Sequence, residues 1–96
     1  MNDDLSPTGG APDAFEAKVL RSFVREGRLV SIPAREKKKL VVLRYLRDRC
    51  FPEDRAYPER EVNQRLALVH PDVAAIRRDM VDYRLMARDA GEYRRA

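Results

Sequence analysis

The chain has 96 residues, of which 44% are hydrophobic and 38% are charged, and its formal net charge is +4. This length suits one small domain with a modest core. No apolar run approaches the roughly 18 residues that cross a bilayer, and the single cysteine excludes a disulfide within the chain. The basic balance favours an anionic partner such as nucleic acid. The 16 acidic residues interleaved with the 20 basic ones are equally typical of a solvated surface of paired charges.

The first segment, residues 1–12, is rich in proline, glycine, aspartate, serine and threonine. Such a segment cannot bury enough apolar area to offset the entropy lost on ordering, so we expect a disordered tail. It has neither the basic start nor the apolar stretch of a secretory signal. Together with the single cysteine, this predicts a cytoplasmic protein.

A first helix is predicted from Asp13, whose side chain can cap the free amides and which is followed by Glu16, as in a capping box. Gly27 is expected to end this helix. The β-prone run RLVSI at 28–32 is then either a single strand or an extended connector, and Pro33 stops it. The apolar stripe of the first helix comprises Phe15, Val19, Leu20, Phe23 and Val24.

The second helix is predicted from Pro33, whose missing N–H costs nothing in a first turn, to about Cys50. Positive charges crowd its first turns, where they oppose the helix dipole. Either a solvated face near a loop or a binding surface explains them. These cations are Arg35, Lys37, Lys38 and Lys39. The buried stripe of this helix is Leu40, Leu43, Leu46 and Cys50, with Val42 beside it.

The segment FPEDRAYP is expected to form a loop that places Phe51 and Tyr57 on the core. A third helix follows over about residues 58–70 and a fourth over about residues 72–86, with Leu85 and Met86 either finishing the fourth helix or starting a strand. Pro71 disfavours helical geometry in the residue before it, so the break between them is short, as a helix-turn-helix requires. The inward residues are Val62, Leu66 and Val69 in the third helix, and Val73, Ile76, Met80 and Tyr83 in the fourth.

A hairpin is expected over residues 86–95, with Asp89-Ala90-Gly91 as its turn because Gly91 can take positive φ. A third strand would come from residues 29–32 or 56–57. The predicted fold is therefore mainly α with a small β-sheet, in which four helices and a C-terminal β-hairpin form a single winged helix-turn-helix-like domain over residues 13–96. Its shared core is predicted to contain Leu43, Leu46, Val62, Leu66, Ile76 and Met80.

No catalytic constellation stands out in the sequence. His70 is the single histidine, and the one Gly-Gly pair lies in the predicted tail, so neither a multi-histidine metal site nor a glycine-rich phosphate loop is indicated. Cys50 lies in a helix stripe, so a role as a small buried apolar residue explains it better than a role as a metal ligand or nucleophile. We therefore expect a protein that is not an enzyme and that carries no metal or cofactor.

The pair Arg77-Arg78 in the fourth helix is a candidate contact to nucleic acid. Adjacent helical residues point about 100° apart, so one arginine should be exposed while the other flanks the core, paired to Glu59 or Glu61. An exposed guanidinium on such a helix can contact phosphates or read guanine in the major groove. Three carboxylates on the same helix would repel phosphates, and they are Asp72, Asp79 and Asp82.

The runs GRLVSIPAREKKKLVVLRYL, YPEREVNQRL and DVAAIRRDMVDYRLMARDAGEYRR resemble the bacterial family called domain of unknown function 2087, over about residues 15–95. Members occur alone or fused to helix-turn-helix regulators of the arsenic-repressor type, so the resemblance implies a role linked to transcription with no assigned activity. One departure is Pro58, which stands where the family often has a Thr or Ser able to cap the third helix. The shared positions are Gly27, Arg28, Leu29, Ile32, Pro33, Tyr57, Glu59, Glu61, Val62, Asn63, Leu66, Arg77, Arg78 and Tyr93.

These observations support two hypotheses. The first is a small DNA-binding transcriptional regulator, or a regulator-associated domain, with its fourth helix in the major groove and with a homodimer or a helix-turn-helix regulator as partner. The second is a protein-interaction or dimerisation module that uses the same fold without binding DNA. The predicted DNA-binding residues are Lys37, Lys38, Lys39, Arg77, Arg78, Arg84, Arg94 and Arg95.

Overall fold

The computed structural model describes residues 13–96, and the predicted disordered tail, residues 1–12, lies outside the described residues. The described part of the chain is mainly helical with small antiparallel sheets, as predicted. Within it, no helix is both long and apolar enough to cross a membrane. The helices are α1 (Ala14–Phe23), α2 (Glu36–Cys50), α3 (Glu59–Ala67) and α4 (Val73–Asp82). The strands are β1 (Val24–Arg25), β2 (Arg28–Leu29), β3 (Tyr57–Pro58), β4 (Met86–Asp89) and β5 (Glu92–Arg95).

The strands form two separate antiparallel sheets. One is the hairpin β1–β2, and the other has the order β3-β5-β4. The third strand of the larger sheet therefore comes from Tyr57–Pro58, near the second of the two segments proposed for it, whereas Arg28–Leu29 belongs to the smaller hairpin. Tyr57 lies opposite Tyr93, which in turn lies opposite Arg88.

Both hairpin turns carry two consecutive residues with positive φ. These angles are 55° and 77° at Glu26 and Gly27, and 51° and 81° at Ala90 and Gly91. Two such residues give a turn whose twist matches that of the flanking strands. Gly27 therefore serves the turn of the first hairpin and does not end α1, which stops earlier, at Phe23.

Helix α1 begins where the sequence predicts. The Asp13 carboxylate accepts a hydrogen bond from the Glu16 amide at 2.8 Å, which satisfies one of the free donors of the first turn. Within the predicted apolar stripe, Val19 is buried, whereas Phe15 at its start is 37% exposed. The helix ends because Val24 turns to extended geometry and pairs with Leu29.

Helix α2 begins at Glu36, three residues after the predicted start at Pro33. The Pro33 ring is fully buried, and Arg35 precedes the helix in extended geometry without a side-chain cap. Leu40 is half-buried, whereas the rest of the predicted stripe is buried with one addition, Val41. Downstream of the helix, the Phe51 and Tyr57 rings are both buried and meet edge to face, with their centroids 5.0 Å apart.

Helices α3 and α4 are joined by a short turn, and both are shorter than predicted. Asp72 opens α4, its side chain accepting from the Ala75 amide at 3.3 Å. His70 orders the same turn, its Nδ1 accepting from the Asp72 amide at 2.9 Å. The Pro58 position before α3 supplies no side-chain cap. All of the predicted shared core is buried, namely Leu43, Leu46, Val62, Leu66, Ile76 and Met80.

Helix α4 ends at Asp82, before the predicted limit near residue 86, and of the two alternatives for Leu85 and Met86 the strand is confirmed, since Met86 starts β4. Arg84 has a φ of 61°, in the left-handed region. Its amide donates to the Val81 carbonyl at 3.0 Å, and the Leu85 amide donates to the Met80 carbonyl at 2.8 Å. This pair of bonds is a Schellman motif, which closes a helix and satisfies its last carbonyls. Leu85 and Met80 are both buried, in keeping with the apolar contact that often accompanies this motif.

Candidate nucleic-acid interface

A groove of about 380 Å³ lies between α4 and the β4–β5 hairpin. Ala74, Arg78 and Asp82 are spaced by four residues and form the exposed face of α4 along this groove. The opposite wall comes from the hairpin, and the start of α3 closes one side. The lining residues are Glu59, Ala74, Arg77, Arg78, Val81, Asp82, Arg88 and Tyr93.

The two adjacent arginines of α4 have different environments. Arg78 is exposed, whereas Arg77 is half-buried and its Nη1 donates to the Asn63 side-chain oxygen on α3. The expected partners, Glu59 and Glu61, are already engaged elsewhere: Glu59 with Tyr93 and Arg88, and Glu61 with Arg55 and Arg65. Arg77 therefore joins α3 to α4, and Arg78 is the arginine that faces solvent.

Arg88 is a groove residue that the sequence prediction missed. Pleating places it on the same face of β4 as the buried Met86 and directly opposite Tyr93. Its Nη2 lies 3.7 Å from the Glu59 carboxylate, and its guanidinium lies 5.9 Å from the centre of the Tyr93 ring. The sequence shows that Arg88 stands two residues after the apolar Met86, the spacing of one face of a strand. This spacing places Arg88 in the groove only when the strand and its register are known.

Tyr93 ties the hairpin to the first turn of α3. Its hydroxyl donates to Glu59 Oε1 at 2.9 Å, while its ring is buried. Burial, followed by the hydrogen bond to Glu59, raises the pKa of Tyr93. The phenol therefore keeps its proton, and with it the bond to Glu59 that holds the hairpin wall of the groove, to a higher pH than an ordinary tyrosine would.

Of the three carboxylates predicted to repel phosphates from α4, two lie outside the groove. Asp72 caps the helix, and Asp79 lies 3.8 Å from the Lys39 ammonium of α2. Asp82 alone among the three lines the groove. Of these three carboxylates, therefore, Asp79 faces a lysine of α2 and Asp82 is the one that a phosphate in the groove would meet.

The three lysines at the start of α2 do not form one patch. Lys37 lies over the Phe15 ring of α1, 5.0 Å from its centre. Lys39 points to α4, where it pairs with Asp79 and lies 5.9 Å from the centre of the Tyr83 ring. Residues two apart in a helix point about 200° apart, so Lys37 and Lys39 lie on opposite sides, with the half-buried Lys38 between them.

The arginines that follow α4 are also separated. Arg94 is exposed on the face of β5 that turns away from Tyr93. Arg95 points inward and donates to the Phe51 carbonyl at 2.8 Å and to Asp48 at 2.9 Å. Arg84 is exposed just beyond the end of α4. Of the predicted DNA-binding set, the groove therefore brings together Arg77 and Arg78.

A separate ionic network holds the loop before β3 to α3. Arg55 Nη2 donates to Glu61 Oε2 at 2.7 Å, and Arg65 Nε donates to the same oxygen at 2.9 Å. The bond from Arg55, with a smaller contribution from Arg65, keeps the pKa of Glu61 below its ordinary value. Arg55 also stacks on the Tyr57 ring, 3.9 Å from its centre. This network supports the β3 side of the domain and leaves the groove open.

A family model described as "Uncharacterized protein conserved in bacteria (DUF2087)" matches residues 28–95. No curated protein and no solved structure matches the chain. The matched range covers α2, α3, α4 and the whole three-stranded sheet, including the groove, and it leaves out α1. The chain thus belongs to the bacterial family known as domain of unknown function 2087.

Proposed function

We propose that this domain binds double-stranded DNA, as a small transcriptional regulator or as part of one, and that it is a binding module without catalytic activity. In this proposal the fold is a winged helix-turn-helix. Helix α4 is the recognition helix and the β4–β5 hairpin is the wing. The order of helix, short turn, helix and hairpin along residues 59–95 supports this assignment.

The observation that carries the proposal is the position of Arg78. It stands in the middle of the exposed face of α4, and Arg88 of the hairpin lines the same groove. An exposed guanidinium at that place on a helix in the major groove can bond two acceptors of guanine. Arg88, Arg84 and Arg94 are then suited to phosphates on either side.

Asp82 also has a place in this arrangement. It lies one helical turn beyond Arg78 on the same face. A carboxylate in the major groove can accept a hydrogen bond from the amino group of cytosine. We propose that Arg78 and Asp82 together give a preference for sites that present guanine and cytosine at neighbouring positions.

A second binding unit is part of the proposal. One recognition helix with two base-reading side chains specifies too few base pairs to select a genomic site. A homodimer, or a helix-turn-helix regulator that carries this domain, would supply the further contacts.

Fluorescence anisotropy with duplex DNA at two salt concentrations tests this function. We expect Arg88→Gln to weaken binding about equally across sequences and to make the slope of log K against log salt shallower by about 0.9, the value for one phosphate contact. Arg44→Gln is the matched control, because it removes an exposed arginine of α2 outside the groove. Equal losses in the Arg88 and Arg44 variants would contradict a specific interface at the groove.

Exposed apolar side chains favour the alternative of a protein-interaction module. Leu68 is 71% exposed and Val30 is 55% exposed, and a partner protein that covered them would remove this apolar surface from water. If the wild-type protein fails to bind any duplex at low salt, and Leu68→Ser abolishes self-association measured by light scattering, the protein-interaction function replaces DNA binding.

A further inference from the structure

A second cavity, of about 340 Å³, shares no lining residue with the groove. It lies where the β1–β2 turn, the end of α2 and the end of α3 meet. Its size falls within the range of small-molecule sites. The lining residues are Glu26, Gly27, Arg28, Arg49, Cys50, Arg65, Leu68 and Val69.

Two of the three arginines in this lining build the walls. Arg28 Nη1 donates to the Leu68 carbonyl at 2.9 Å, and Arg65 Nη1 donates to the Cys50 carbonyl at 2.8 Å. These carbonyls lie at the ends of α3 and α2, where the helix dipoles are negative. The guanidiniums thus offset the charge that would otherwise keep an anion out of the cavity.

The third arginine, Arg49, has no such structural task. Its guanidinium lies against Gly27, and a methyl group at residue 27 would overlap it. It forms no hydrogen bond or ion pair with any residue of the range 13–96. The guanidinium lines the cavity beside Cys50 at the end of α2. Burial raises the pKa of the Cys50 thiol, and the charges of Arg49 and Arg65 oppose that rise.

We propose that this cavity binds a small oxyanion whose charge is carried by a phosphoryl or a carboxylate group, and that Arg49 contacts the anion directly. The lining carries three guanidiniums against one carboxylate, Glu26, although Glu61 partly neutralises Arg65 from outside the cavity. A guanidinium offers two parallel donors to a planar or tetrahedral oxyanion, which an ammonium does not. A bound anion would connect the β1–β2 hairpin with the turn that precedes α4.

An NMR titration of the full chain tests the site with inorganic phosphate in one arm and succinate in the other, against chloride at matched ionic strength. We expect saturable shifts of the Gly27, Cys50 and Val69 amides at millimolar concentrations. Arg49→Gln should weaken binding about tenfold or more, as expected for the loss of a hydrogen bond between charged groups. The arm that binds more tightly identifies the chemical group.

Arg44→Gln is the control, since it removes the same charge from the same helix outside the cavity. Arg49→Lys retains the charge but not the paired donors, and it should recover only part of the affinity. Shifts that never saturate in either arm would overturn the proposal. So would equal losses of affinity in the Arg49 and Arg44 variants, or wild-type affinity in both Arg49 variants.

Discussion

Arg94 and Arg95 are neighbours in β5, yet only Arg95 is part of the packed structure. It covers the Phe51 carbonyl just past the end of α2 and reaches Asp48. We expect Arg95→Ala to lower the free energy of unfolding by about 1–2 kcal/mol, mainly because the carbonyl loses its donor. The exposed pair with Asp48 should add little, since solvent screens it. Urea denaturation followed by circular dichroism measures this change.

Arg94→Ala is the matched control for that measurement. Its side chain is exposed on the other face of the strand, so its removal should change stability by no more than about 0.5 kcal/mol. Equal losses of stability in Arg95→Ala and Arg94→Ala would show that the inward contacts of Arg95 do not stabilise the fold.

Arg77 and Arg78 are also adjacent residues with different roles: Arg77 holds two helices together, and Arg78 is proposed to contact DNA. We expect Arg77→Ala to cost about 1–2 kcal/mol of stability, because Asn63 loses its partner. Arg78→Ala should leave stability nearly unchanged and reduce DNA affinity by roughly 1–3 kcal/mol while blurring preference between sites. Denaturation and anisotropy on the same samples measure both effects.

A double-mutant cycle with Asn63→Ala separates the contact from other effects of removing Arg77. The two substitutions should couple, since they remove the two sides of one interaction. Additive losses would show that Arg77 stabilises the domain by some other contact.

Glu61 gives the stability a defined dependence on pH. Its pKa is lower in the folded protein than the ordinary value of 4.5, first because of the hydrogen bond from Arg55. A group of this kind stabilises the folded state above its ordinary pKa, and the contribution is lost as the pH falls through the lowered value. We therefore expect the melting temperature of Glu61→Gln to lie below that of the wild type at neutral pH and to converge with it in acid.

Glu92→Gln is the comparison for this titration, because it removes an exposed carboxylate that forms no ion pair with the other described residues. Its difference from the wild type should be small at every pH. A Glu61→Gln difference that persists unchanged in acid would mean that the glutamine disturbs packing and that the charge is not the cause.

At the scale of the elements, the end of α4 is closed by an arginine where a Schellman motif usually has glycine. The left-handed conformation of Arg84 is costly for a residue with a side chain. We expect Arg84→Gly to raise the free energy of unfolding by about 0.5–1 kcal/mol, after the greater freedom of glycine in the unfolded chain is allowed for. Thermal melting detects this gain, and a loss of stability would show that the Arg84 side chain makes a contact that offsets its backbone strain.

The helices could be predicted from the sequence because their apolar residues recur over two turns or more. The start of α2 and the end of α4 could not, because local geometry and packing decide them. Nothing in the sequence marks Arg84 as left-handed, and the two-residue strands β1 and β2 are too short to show a period. The buried Pro33 shows the same limit, since tertiary packing holds it outside α2.

The candidate interface was predictable in part for a related reason. Helix geometry alone indicates that one of two adjacent arginines faces inward and the other outward, so the division between Arg77 and Arg78 could be predicted. The partner of Arg77, Asn63, was not recognised. Arg88 was not found, because the face of a strand residue depends on a register that the sequence does not reveal. Lys37 and Lys39 were grouped because they are close in sequence, but they lie on opposite sides of α2. Lys37 contacts Phe15 of α1, and Lys39 pairs with Asp79 of α4.

At the scale of the whole molecule, α2, α3, α4 and the three-stranded sheet share one core. Leu66 and Ile76 are fully buried in it. We expect Leu66→Ala or Ile76→Ala to cost about 2–5 kcal/mol, a large part of the roughly 5–10 kcal/mol available to a domain of this size. Denaturant unfolding gives the values. Leu68→Ala is a close control, since that side chain is largely exposed and its truncation should cost less than about 0.5 kcal/mol.

The β1–β2 hairpin is joined to the rest of the molecule through bonds between distant parts of the chain. The Leu29 amide donates to the Val69 carbonyl at 2.8 Å, while the next amide, Val30, donates to Phe23 within the hairpin region. The nearby bond from Arg28 to Leu68 spans 40 residues. Amide hydrogen exchange therefore distinguishes two kinds of opening. If the hairpin detaches as a unit, the Leu29 amide exchanges faster than the Val30 amide. If the Leu29 amide is exposed only by global unfolding, both the Leu29 and the Val30 amides exchange at the rate of the core.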